Sequence, residues 1–107
     1  MNIRQITTAN ETQFLRFYSG EDPIGRFLVR KKEVMFIINN PEKLKIYLGL
    51  KEVPTTMVDV YVPENTNMLV GRIGSQPNFG LINESGFQYQ LIDKIPESSY
   101  KNPRPIS

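Results

Sequence analysis

Short β-prone runs, each closed by turn residues, constrain this chain more than any other feature. Thr56 to Val62 (TMVDVYV) is the clearest: β-branched and aromatic residues surround a single Asp59, and Pro63-Glu64-Asn65 follows as a turn. Phe14 to Tyr18 (FLRFY) reads as a strand ending in SGEDPIG, where Ser, Gly, Asp and Pro stand in a row. Arg26 to Val29 reads as a short strand stopped by Lys31 and Lys32. Val34 to Ile38 (VMFII), an apolar run bounded by charge and by Asn39-Asn40, reads as a buried strand. Met68 to Ile73 resumes strand character, and Gly74 to Ser85 is a loop. Gly86 to Ile95 reads as a closing strand with Phe87, Tyr89 and Leu91 on one side and Gln88, Gln90 and Ile92 on the other.

One helix signal interrupts this pattern. In Asn40-Pro41-Glu42, Asn is a good N-cap, Pro suits the first helical position and Glu favours the first turn. Leu44, Tyr47 and Leu48 then share one face, Gly49 offers a C-cap and Pro54 ends helical propensity. The 107 residues fit one domain, 1–107, with 1–12 and 96–107 as extended ends; Pro103 and Pro105 mark the second. A chain of this length buries roughly two-thirds of its unfolded surface, enough for a core without staples. The sum is a small α+β domain, mostly strands, with one or two short helices on one side.

Composition excludes several chemistries. Cysteine is absent, so there is no disulfide framework, thiolate nucleophile or zinc-finger site. Histidine is absent too, which excludes Ser-His-Asp hydrolysis, Cys-His proteolysis and two-histidine ribonuclease chemistry. No metal site is expected from what remains. Net charge is +2, from 13 basic and 11 acidic residues, too mild to argue for nucleic acid by itself. No apolar run approaches the ~18 residues of a membrane span. The N-terminal MNIRQITTANETQ has no hydrophobic core region and does not read as a secretory signal, so export would be directed by another part of a longer polypeptide.

The candidate site residues are polar groups in apolar company. Arg16 lies inside an aromatic strand, where it is either an outward-facing edge residue or a clamp for phosphate or carboxylate. Arg26 and Arg72 read as loop arginines within reach of a ligand or as solvated charges, and Lys31 and Lys32 as surface charges. Tyr18, Phe79, Phe87 and Tyr89 either fill the core or wall a pocket for a planar ring. Gln88 and Gln90 put two amides on one strand face, which is unusual for a core. Glu84 is the carboxylate nearest that strand in sequence, and Glu21 and Asp22 form no recognisable metal constellation.

Three segments carry a family resemblance: LRFYSGEDPIGRFL (residues 15–28), YLGLKEVPTTMVDVYVPENTNMLVGRIG (47–74) and SQPNFGLINESGFQYQL (75–91). In this order they resemble the C-terminal toxin domains of bacterial polymorphic toxin systems, those related to the tuberculosis necrotizing toxin and the wider ADP-ribosyltransferase-like fold. The resemblance implies a small, mostly antiparallel split β-sheet core and cleavage of NAD+ at the nicotinamide–ribose bond. It implies Gln88 and Arg16 as catalytic residues, with Arg16 contacting the dinucleotide phosphates and Tyr18 stacking near nicotinamide; Arg26, Phe79 and Tyr89, read from their own segments as a ligand-reaching arginine and pocket-wall aromatics, complete the expected NAD+-binding set. It further implies a cognate immunity protein and secretion or contact delivery within a larger polypeptide, with action in the target-cell cytoplasm. Protein-modifying members usually carry Gln-x-Glu or Glu-x-Glu on this strand, whereas here the run is Gln88-Tyr89-Gln90, which favours glycohydrolase over transferase chemistry. Necrotizing-toxin relatives have a denser Gly-Gly run where this chain has Asn83-Glu84-Ser85-Gly86. ADP-ribosylation of a protein or RNA, a histidine-free ribonuclease, and a non-enzymatic immunity, adaptor or phage structural domain stand as alternatives.

Overall fold

A computed structural model of the chain describes residues 3–20, 22–72 and 87–106, with Arg72 described in its backbone alone. The elements run β1 (Ile3–Thr7), β2 (Thr12–Tyr18), β3 (Phe27–Leu28), α1 (Lys31–Val34), a 3₁₀ turn (Met35–Ile37) and α2 (Pro41–Leu48). They continue with β4 (Thr56–Val62), β5 (Asn67–Arg72), β6 (Phe87–Leu91), a second 3₁₀ turn (Glu97–Ser99) and β7 (Tyr100–Pro105). Two sheets form, in the orders β1-β5-β6-β3 and β2-β4-β7. Every strand pair is antiparallel. The α+β class with a divided antiparallel sheet and two short α-helices is the architecture observed.

β4 explains why the sheets stack as they do. Five of its seven residues are buried, Asp59 among them, and the four apolar ones are divided between two cores. Val58, Val60 and Val62 join Phe14 and Tyr18 of β2 against Leu28, Met68 and Leu91 of the other sheet. The opposite face of β2 and β4, through Leu15, Phe17 and Met57, packs on Val34, Ile37, Leu44 and Leu48. The three-stranded sheet is thus the middle layer, covered on one face by a sheet and on the other by helices.

Local chemistry sets the chain's reversals. Asn40 caps α2, its Oδ1 accepting from the Lys43 amide at 3.1 Å. Gly49 ends α2 in the left-handed region at φ 67°, which L side chains adopt only at a cost. Asn65 takes φ 61° in the turn after β4. Beside it, the buried Thr8 hydroxyl donates to Pro63 O at 2.6 Å and accepts from the Thr66 amide at 2.9 Å. This corner ties together two of the chain's crossings between sheets, β1 to β2 and β4 to β5.

Two expectations change. Val34–Ile38 is not a buried strand: α1 ends at Val34 and a 3₁₀ turn follows. Val34 and Ile37, three residues apart, point into the core, while Met35 and Phe36 are exposed. Five consecutive apolar residues carry no period, so their spacing cannot separate strand from helical turn. The stretch after Pro96 is extended only from Tyr100, where it is a strand built into a sheet. Its register shifts between Met57 and Asp59, so Asn102 and Pro103 stand opposite Val58 in a bulge. Pro103 is tolerated there because a bulged edge strand leaves positions that need no donor. The N-terminal end is likewise a paired strand, β1 against β5. The expected loop at residues 74–85 lies outside the described residues.

Candidate functional site at the fork between the sheets

Besides their shared core, β2 and the residue that follows β3 are joined by one isolated bridge. Leu15 N donates to Val29 O, and Val29 N donates to Leu15 O, both at 2.8 Å. Beyond this bridge, β2 and β3 part. The fork opens into a cleft of about 380 Å³, within the ~300–1,000 Å³ typical of small-molecule sites. Its walls come from β2 (Leu15, Arg16, Phe17), β3 (Phe27, Leu28), the end of α2 through Lys51, and Gln88 of β6. Arg16 and Gln88, distant in sequence, therefore line the same cavity.

Arg16 is held in place from several sides. By strand alternation it shares a face with Phe14 and Tyr18. Its Nε donates to Pro23 O at 3.0 Å, and its Cζ lies 5.7 Å from the centre of the Tyr18 ring. The guanidinium lies flat against Gly25, where an added Cβ would stand 2.6 Å from each Nη atom. The Tyr100 hydroxyl fixes Gly25 from the other side, donating to its carbonyl at 2.8 Å. Burial pushes the Arg16 pKa down, against the opposing influence of Tyr100, Asp22 and Tyr18. Arginine remains charged at physiological pH, so Arg16 is a cation stripped of part of its hydration.

Gln88 stands opposite Gly71 of β5 and is half-buried. Its amide makes no hydrogen bond to a described residue. Gln90, on the same strand face, stands opposite Phe27 and Leu69 and does not line the cleft.

The other expected site residues are dispersed. Tyr18 is buried in the core between the sheets and reaches a second, shallower hollow beside the cleft, which also contains Arg16. Arg26 is exposed next to β3 and does not line the cleft. Tyr89 faces the core, its ring centroid 5.0 Å from that of Phe14. Phe79 and Glu84 lie outside the described residues, as does Glu21. Among the described residues, the aromatic residues that line the cleft are Phe17, which is buried, and Phe27, which is 49% exposed.

Sequence reading passed over Phe27, Gly25, Lys51 and Tyr100. Gly25-Arg26-Phe27 follows the Asp22-Pro23 turn, and only Arg26 drew notice there. Tyr100 lies in a segment with no sequence sign of reaching Gly25. Tyr89 also has an unexpected neighbour in Glu33, whose Oε1 is buried without a hydrogen-bond partner among the described residues. Burial raises the Glu33 pKa, opposed by Arg30, Lys32 and the nearby Tyr89 hydroxyl. Burial and Glu33 raise the Tyr89 pKa, opposed by Arg30 and Arg4.

Among the described residues, no group of three His, Cys, Asp or Glu side chains could hold a metal ion, and no helix is long and apolar enough to cross a membrane. Comparison with known protein families, with curated proteins and with solved structures finds no match to this chain.

Proposed function

We propose that this chain is a toxin domain that cleaves NAD+ at the nicotinamide–ribose bond, with water as acceptor. The observation that carries this reading is that Arg16 and Gln88 line one cleft. In this reading Arg16 clamps a phosphate of the dinucleotide, Gln88 orients the ribose hydroxyls, and a planar ring packs on Phe27. The C1′–N bond breaks with its electron pair going to the nicotinamide nitrogen, which leaves as a neutral ring. Water adds to the oxocarbenium-like carbon and its proton goes to solvent. The departing ring needs no protonation, so a site without histidine suffices. The protein's task is positioning and charge stabilisation, which an arginine fork and an amide supply.

Such a domain would travel within a larger secreted or contact-delivered polypeptide and act in the target-cell cytoplasm. Its producer would need a cognate immunity protein. The test is incubation of the purified protein with NAD+ labelled in the adenosine half. Equal release of nicotinamide and free ADP-ribose supports hydrolysis. Label retained on a lysate protein or RNA points to transfer instead, and no nicotinamide release from folded protein removes the reading.

A further inference from the structure

The cleft at the fork carries charge of one sign. Among the described residues, its only ionisable lining groups are Arg16 and Lys51, and no carboxylate lines it. Arg16 comes from β2, and Lys51 from the segment leaving α2. The place of Lys51 follows from the helix end: Gly49 turns left-handed, its amide donates to Ile46 O, and Leu50 N donates to Lys45 O at 2.9 Å. Lys51 is the next residue. Both residues also line the adjoining hollow.

Neither cation has an ion-pair partner among the described residues, where Asp59 and Arg104 form the recorded pair. Two carboxylates lie nearby, and both have neutral partners. Asp22, which faces Arg16, accepts from the Ile24 amide at 2.9 Å. Glu52, in the adjoining hollow, accepts from the Ser19 hydroxyl at 2.8 Å. Two cations lining one cavity give it a positive potential that favours an anionic ligand.

We propose that Arg16 and Lys51 form a two-cation clamp for a diphosphate, with Lys51 binding the second phosphate. An arginine fork matches the oxygens of one phosphate, and a lysine supplies a point charge that adapts to the next. The inference deepens the NAD+ reading and rests on it for the ligand's identity. The clamp itself suits any nucleoside diphosphate.

Calorimetric titration of the purified protein with ADP, AMP and adenosine tests it. ADP is expected to bind more tightly than AMP. Lys51→Gln is expected to weaken ADP about tenfold, as loss of one partly solvated charge-assisted contact should, and to leave AMP nearly unchanged. Lys51→Arg is expected to retain the ADP preference. Lys51 is exposed, so neither variant threatens the fold. Equal binding of ADP by wild type and Lys51→Gln would overturn the clamp, as would a wild type that does not separate ADP from AMP. Nicotinamide release, measured alongside, keeps the two readings apart. Lys51-dependent ADP binding without release upholds the clamp and removes NAD+ cleavage. Release with Lys51-independent ADP binding does the reverse.

Discussion

Gly25 shows how much of the site rests on a missing atom. The Arg16 guanidinium occupies the space a Cβ would take, and the Tyr100 hydroxyl donates a hydrogen bond to the Gly25 carbonyl. Gly25→Ala is therefore expected to displace the Arg16 guanidinium, the far end of a flexible side chain, with a smaller effect on stability than on the site. NAD+ turnover should fall with it, while Tyr100→Phe loses only the hydroxyl bond and should fall less. Comparing turnover with urea-denaturation midpoints for both variants checks this. Glu33 makes a second prediction, with a definite sign. Burial raises its folded-state pKa, so the native state holds the proton more tightly than the unfolded chain. The stability it contributes is full below the ordinary glutamate range and is lost as pH rises through the raised value. Glu33→Gln should remove that loss: thermal melts of the variant should vary less than wild type between acid and neutral pH, with the variant favoured at neutral pH. A wild-type excess at neutral pH would show that Arg30 and Lys32 outweigh burial.

Elements were readable in the sequence where their causes are local. The Asn40-Pro41 start, the Leu44–Leu48 face and the Gly49 stop all act within one or two turns, and α2 follows them closely. Val34–Ile38 failed because an unbroken apolar run fits a strand and a helical turn equally well; only packing on Leu44 and Leu48 decides between them. β7 was hidden for a different reason. Its register depends on Asp59, to which Arg104 donates at 3.1 Å and Asn102 at 3.3 Å. Asn102 takes φ 59° to reach it. A lone Asp in a strand of β-branched residues hints at a buried partner but does not name one. Arg104→Ala leaves that carboxylate with Asn102 alone and should cost about 1–3 kcal/mol. Arg104→Ala combined with Asp59→Asn should recover part of the loss, read from the same denaturation series.

At the scale of the molecule, the site is a consequence of division. One sheet could not supply the cleft; it exists because β2 leaves β3 after a single bridge, and because β6 brings Gln88 to the opening. Arg16 and Gln88 could be picked out in the sequence as polar groups in aromatic strands. Their meeting could not, since it depends on a sheet boundary that no local pattern marks. Phe27, Lys51 and Tyr100 were missed because each is ordinary in its own segment and acquires a task only through distant neighbours. The central claim is that this fork is where NAD+ is cleaved, and Gln88 and Gln90 test it most directly. They share a strand and a side-chain type, but only Gln88 lines the cleft. The measurement is the rate of nicotinamide release by wild type, Gln88→Ala and Gln90→Ala, each with a matched thermal melt. The account predicts a loss of about a hundredfold or more for Gln88→Ala, the scale of removing one group that stabilises the transition state. Gln90→Ala should stay close to wild type. Equal rates for the two variants, or a Gln90→Ala loss as deep as that of Gln88→Ala, would contradict it.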